Sequence, residues 1–287
     1  MRKLFVVYVV LISAGFYQFE NYAQCSDAGV CQLGAHLAEG EEEIFNVSAS
    51  YKYGYSGKED DIQYNSFVLD GSYNLLENSS VKVLIPYNIQ SGPAGSVNGI
   101  GDLILSWNQQ LYSNENSSLS ASLGAKLATG DDNKDNLPQK YQSGLGTNDI
   151  LFGVSYTYDK INVGAGYQLA GGRNDNLLQL ERGDDLLLRA SYQLSFDQLS
   201  IVPQILFIQR LAESSILDTA STNGEKFVEV DKSDQSQLNL LAKLEYKIDE
   251  SISLIGDFAI PFIKREVNVD GLTRAFSVSA GVRFSFN

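Results

Sequence analysis

A two-residue rhythm runs through most of the chain, and nothing else in it narrows the possible folds as far. It is clearest near the end. There Phe276, Val278, Ala280, Val282, Phe284 and Phe286 alternate with Ser277, Ser279, Gly281, Arg283 and Ser285. Successive side chains of a strand point to opposite faces, so one face is apolar and the other small, polar or charged. A helix would mix the two sets on one surface. The same alternation sets Phe45, Val47, Ala49, Tyr51, Tyr53 and Tyr55 against Asn46, Ser48, Ser50, Lys52 and Gly54. It recurs often enough to predict twelve strands, over 44–55, 62–75, 80–88, 100–112, 117–128, 149–158, 161–169, 185–196, 200–211, 236–248, 251–263 and 272–286.

The connections carry a second signal. Those at 76–79, 113–116, 159–160, 197–199 and 249–250 are short, and those at 56–61, 89–99, 129–148, 170–184, 212–235 and 264–271 are longer. The two kinds alternate along the chain. A transmembrane antiparallel up-and-down β-barrel sorts its connections in this way, with short turns on the periplasmic side and long loops outside. Most predicted strands also reach the roughly nine to eleven residues that cross a bilayer at a tilt. Mean hydropathy is only −0.13, as expected when alternate residues alone face lipid. The fold expected is therefore an all-β barrel of about twelve strands. A soluble periplasmic β-sandwich is the alternative at the level of fold.

Charge follows the same partition. The chain carries −14 overall; the six long loops sum to −8 and residues 24–43 to −5, the latter mostly from Glu39, Glu41, Glu42 and Glu43. Acidity thus sits where water solvates it. Tyr and Phe gather near predicted strand ends, as at Tyr53, Tyr55, Tyr87, Tyr112, Tyr158, Phe196 and Tyr246. Barrels place aromatic girdles there, although sheets in general are also rich in aromatics.

Residues 1–23 read as a secretory signal peptide. Arg2 and Lys3 precede the apolar run from Leu4 to Phe16, and Asn21-Tyr22-Ala23 offers a cleavage point. The run is too short to span a bilayer as a helix. A lipoprotein reading on Cys25 is weakened by Gln24, where a small residue is usual. Residues 24–43 would then form a periplasmic or plug segment before a barrel at 44–287. In an oxidising compartment Cys25 and Cys31 favour a small structural disulfide; two unpaired thiols are the alternative.

The polar face of the strands supplies the candidate lumen residues: Lys52, Asp70, Lys82, Asp102, Lys126, Arg189, Arg210, Lys243, Glu245, Asp257 and Arg283. Mixed inward charge fits a watered interior. It suits a selective pore or a barrel sealed by ion pairs. No catalytic residues are expected. His36, the one histidine, precedes the first strand, where no Ser-His arrangement on the wall reaches it. Asp131, Asn133 and Asp135 have the spacing that opens a calcium loop, but Asn136 and Gln142 stand where Gly and Glu are needed. A solvated loop, or one bridged by a cation to lipopolysaccharide, fits better. Cofactor and metal sites are not expected, nor is nucleic-acid binding.

One stretch is more distinctive. Gly99-Ile100-Gly101-Asp102-Leu103 opens a strand, and Leu127-Ala128-Thr129-Gly130-Asp131 closes the next. Leu137-Pro138, Gly144-Leu145-Gly146-Thr147 and Asp149-Ile150-Leu151-Phe152-Gly153 follow. This order resembles the outer-membrane protein family of the phenol meta-degradation pathway, whose members are described as transporters. Ala128 stands where Pro is usual, and Gly-Leu-Gly-Thr replaces a compact Gly-Thr-Gly. The resemblance implies an outer-membrane barrel that passes aromatic or other hydrophobic compounds. The motif residues it singles out are Gly99, Gly101, Asp102, Thr129, Gly130, Asp131, Gly144 and Gly146. Barrel proteins also commonly end on an aromatic read by the insertion machinery, and here Phe286 is followed by Asn287.

The function expected is a passive channel for small hydrophobic solutes in the outer membrane of a Gram-negative bacterium. Its surroundings would be outer-membrane lipid and lipopolysaccharide. A closed-lumen structural or surface-interaction barrel is the main alternative, and an outer-membrane enzyme is a third.

Overall fold

The computed structural model describes residues 44–220, 226–271 and 273–286. The expected signal peptide at 1–23 and the 24–43 segment, with its glutamates, Cys25, Cys31 and His36, lie outside them. The strands are β1 (Phe45–Tyr55), β2 (Gln63–Leu76), β3 (Ser79–Gly92), β4 (Gly95–Ile100), β5 (Leu103–Ser113), β6 (Ser117–Leu127), β7 (Asp149–Tyr158), β8 (Ile161–Leu169), β9 (Asp185–Tyr192), β10 (Leu194–Phe196), β11 (Leu199–Arg210), β12 (Ser215–Leu217), β13 (Phe227–Glu229), β14 (Ser236–Lys247), β15 (Ile252–Ile263) and β16 (Phe276–Phe286).

They form a closed antiparallel barrel of twelve wall strands, because β4 with β5 and β9 with β10 each make one interrupted wall strand. Each wall strand pairs with its neighbour in sequence. Closure comes from β1 against β16, in register from Phe45↔Phe286 to Tyr55↔Phe276. No wall strand is left with a bare edge, which is the condition for standing in hydrocarbon.

The pleat turns the barrel inside out relative to a soluble domain. On β1, Asn46, Ser48 and Gly54 are buried while Phe45, Ala49 and Tyr51 are exposed. Around the outside, Phe67, Tyr87, Trp107, Phe152, Tyr192 and Phe258 are each more than two-fifths exposed. Ser66, Asn88, Asn108, Gln168, Gln204 and Asn239 are buried inside. A continuous apolar exterior of this kind is stable against lipid tails and not against water.

Three boundaries depart from the sequence reading. The expected loop at 89–99 is largely sheet: β3 runs on to Gly92 and turns through Gly95 into β4. Pairing here continues past the alternation of apolar residues: the backbone ladder carries it, and Val97 is buried among Ile62, Tyr64 and Tyr141. The last strand begins at Phe276 rather than 272, so the final loop is longer and holds the buried Arg274. The loop at 212–235 contains a small hairpin of β12 and β13 apart from the wall.

Candidate functional site

The motif residues of the 99–149 stretch meet at the loop end of the barrel, where they fold loop 129–148 inward. Asp102, between β4 and β5, accepts hydrogen bonds from the backbone N–H of Gly130 (3.2 Å) and Leu145 (2.8 Å). Thr129 donates its hydroxyl to the Gly101 carbonyl (2.8 Å) and accepts from Leu103 N–H (3.0 Å). Asp131 N–H reaches the Ser143 hydroxyl (3.0 Å), and Gly144 N–H donates to the Asp131 carbonyl (3.0 Å). Gly130 and Gly144 pass back to back: a Cβ on Gly130 would lie 2.7 Å from the Gly144 Cα. Gly146 has a φ of +71° and packs on Asp132. Gly99 lies against Ser143 and Asp131. Asp131 also sits 3.8 Å from Lys134, and Asp132 accepts from Asp175 N–H (2.8 Å), so these acids serve the loop's own geometry. Among the described residues, no group of three His, Cys, Asp or Glu is arranged to hold a metal.

Two buried ion networks tie the loops to the wall. Asp149 of β7, fully buried, meets Lys126 at 2.7 Å and Arg182 at 2.6 Å. It also accepts from Thr147 (2.9 Å) and from Gly171 N–H (3.1 Å), so it fastens loops 129–148 and 170–184 together. In the second network Arg210 of β11 meets Asp185 (3.2 Å) and Asp270 (3.3 Å), and Arg265 meets Asp185 (3.1 Å). Burial lowers the Arg265 guanidinium from its ordinary value; Arg210 beside it adds to this and the two aspartates oppose it. Arg274 lies over the Tyr64 ring at 4.4 Å, which draws the last loop into the mouth.

Below the inward loop lies a chamber with about 1400 Å³ of unfilled space, its open mouth included. Of the residues expected in the lumen, Lys52, Asp70, Lys82, Asp102, Lys126, Lys243, Asp257 and Arg283 line it. Glu245 pairs with Arg283 at 3.1 Å, and Arg189 is within electrostatic reach of Lys243. Arg210 lies outside the chamber, in the second loop-end network. Asp70 and Lys82 pair at 3.4 Å. Gln142, Ser143, Gly144 and Leu145 of the folded loop form part of the lining, and Asn88 donates to the Ser143 carbonyl (2.7 Å).

The sequence reading missed a belt of inward apolar residues. Leu84 on β3 and Ile104 on β5 join Leu151 on β7, Leu187 on β9 and Leu206 and Ile208 on β11 in one buried cluster, with Val68 and Leu241 packed against it. Strands β3 and β11 stand half the circumference apart, so the cluster reaches across the lumen. A signal for it was present. Every member lies in a run that breaks the alternation: Val83-Leu84-Ile85, Leu103-Ile104-Leu105, Ile150-Leu151-Phe152, Leu186-Leu187-Leu188 and Ile205-Leu206-Phe207-Ile208. Also missed were Asp149 and Asp185, at the starts of β7 and β9, and Arg182, Arg265, Asp270 and Arg274, which come from loops that no periodicity locates. At the turn end the interior opens into a second space lined by amides and hydroxyls, among them Asn74, Asn108, Gln110, Ser120, Asn162 and Gln193.

No protein-family model matches the chain, and no curated protein matches it by sequence. Solved structures do match by shape. An outer-membrane channel from Pseudomonas putida F1 superposes with a TM-score of 0.64 at 15% identity, over 85% of this chain and 96% of that one. The NanC porin aligns at a TM-score of 0.49 and 12% identity, over 84% of this chain and 100% of the other. The KdgM porin, with bound oligogalacturonate, aligns at 0.44 and 11%, over 84% and 99%. The last two are too distant to weigh. The first is similar over nearly its whole length, and this chain has the fold of an outer-membrane β-barrel channel.

Proposed function

We propose that the protein is a passive channel for small hydrophobic or aromatic solutes in the outer membrane of a Gram-negative bacterium. On this reading residues 1–23 export it, and Cys25 and Cys31 close a disulfide in a segment that follows. The insertion machinery acts on the C-terminal strand, and lipid and lipopolysaccharide surround the wall. The chain is read as a relative of the phenol meta-degradation outer-membrane proteins, without enzymatic activity. The observation that carries the reading is the apolar belt. A pore for ions or sugars gains nothing from leucines meeting at mid-lumen, since hydrophobic constrictions expel water. A solute with an apolar body replaces those contacts as it passes and loses little solvation there.

Flux through proteoliposomes tests this. Phenyl glucoside, a neutral sugar carrying a ring, is expected to pass faster than a disaccharide of similar size. Equal rates would contradict the selectivity. A second reading, a structural barrel without transport, is favoured by the same cluster spanning the lumen and by the buried ion pairs that hold the loops inward. That reading predicts that neither solute passes.

A further inference from the structure

Among the described residues, the apolar belt does not close into a ring. Its members stand on β3, β5, β7, β9 and β11, and Val68 of β2 and Leu241 of β14 pack against it. Beyond them the ladders carry the same level of the wall onward. Leu84 pairs with Asp70, and Asp70 with Ser48. On the far side Lys243, the next inward residue after Leu241, pairs with Asp257, and Asp257 with Ser279. Ser50 and Gly281, paired across the seam, join the two runs. Apart from Ile255, one inward step from Asp257, this arc of β15, β16, β1 and β2 is walled by small or charged residues.

The chamber occupies that arc. Ser48, Ser50, Asp70, Asp257, Ser279 and Arg283 all line it, so open space crosses the level of the belt where the belt is absent. The chamber also adjoins the vestibule at the turn end. Along β3 the inward residue after Lys82 of the chamber is Ser80 of the vestibule, and along β2 Asp70 leads through Ser72 to Asn74. Two buried amide oxygens on this side have no protein partner: Gln90 Oε1 in the chamber wall toward the loop end, and Asn46 Oδ1 next to Ser48 toward the turn end. Such an acceptor costs free energy unless water reaches it. The charges beside the space are matched: Asp70 with Lys82 at 3.4 Å, Glu245 with Arg283 at 3.1 Å, and Asp257 opposite Lys243. Pores select ions by lining themselves with one sign of charge, and matched pairs supply none.

We infer that a second, polar passage, for water and small ions of either sign, runs beside the belt along the β15–β16–β1–β2 wall. It goes beyond the channel reading above, since it uses the other side of the lumen and needs no apolar solute.

Single-channel recording in planar bilayers tests it. The whole protein carries Cys25→Ser, Cys31→Ser and Ser50→Cys, and a water-soluble cationic methanethiosulfonate is added to the folded channel. The current is expected to fall several-fold on modification, while phenyl glucoside flux in proteoliposomes keeps its rate. In a KCl gradient the reversal potential before modification is expected near zero. Ser279→Cys replaces Ser50→Cys if the latter does not insert. Absence of ion current before modification overturns the inference, as does a current that modification leaves unchanged. Strong selectivity for one sign, or an equal fall in current and in phenyl glucoside flux, overturns it too. If the current falls on modification and phenyl glucoside never passes, the polar passage stands and the reading as a channel for apolar solutes fails.

Discussion

Asp149 and Asp102 show how much of the mouth depends on single carboxylates. Asp149 is fully buried between Lys126 and Arg182. Removing one partner of such a pair leaves uncompensated charge, and typically costs about 3–5 kcal/mol. Asp149→Ala should therefore unfold at markedly lower temperature than wild type on heat-modifiability gels, while Asp70→Ala, at the partly exposed Asp70–Lys82 pair, should shift little. Asp102 acts on the loop instead. Asp102→Ala removes both acceptors of the Gly130 and Leu145 amides. Each such charge-assisted bond is worth about 1.5–3 kcal/mol, so loop 129–148 should loosen and single-channel conductance should rise and become noisier. The candidate site was only partly legible at this scale. The period-2 pattern tells which residues of a strand face inward, and so it reaches Lys52, Lys82 and Lys243. It cannot tell that Arg274 of a loop will lie over Tyr64, because nothing local in the sequence sets that distance.

Among the elements, the apolar belt and the folded loop narrow the lumen. The belt draws one or two side chains from each contributing strand, so a single change opens part of it without breaking a strand. Leu206→Ser should hydrate the constriction and raise ion conductance several-fold, measured in planar bilayers. A polar change next to it on the outer face, Ile205→Ser, should leave conductance alone and weaken stability in the membrane instead. Gly130→Val should displace loop 129–148, because its side chain would collide with the Gly144 backbone. Proteolysis in the loop should then become fast while the strand core stays protected. Strand positions were read well from the alternation. The β3–β4 hairpin was not, because residues 92–98 carry Gly, Pro, Ser and Asn that read as a loop, while the ladder Gln90↔Val97 and Ser91↔Ser96 and the burial of Val97 against Ile62, Tyr64 and Tyr141 make them sheet.

For the molecule as a whole, the defining property is closure: a polar interior, an apolar exterior and no free edge. The alternating lengths of the connections made this architecture legible, since they require every strand to reverse direction and both ends of the barrel to meet at the turn end. What they could not convey is how full the interior is. Twelve strands enclose more space than their own side chains fill, and it is the inward loops and the leucine belt that divide that space into an amide-lined vestibule and a charged chamber.

The seam between β1 and β16 offers the most direct test. In a background lacking Cys25 and Cys31, Ala49→Cys combined with Val282→Cys places two thiols at directly paired positions. Oxidation of the membrane-inserted protein should link them in high yield and retain the compact form on gels after heating. The control Ala49→Cys with Phe286→Cys, four residues out of register, should remain unlinked. Failure of the paired positions to join, or equal joining in both proteins, would contradict a closed barrel.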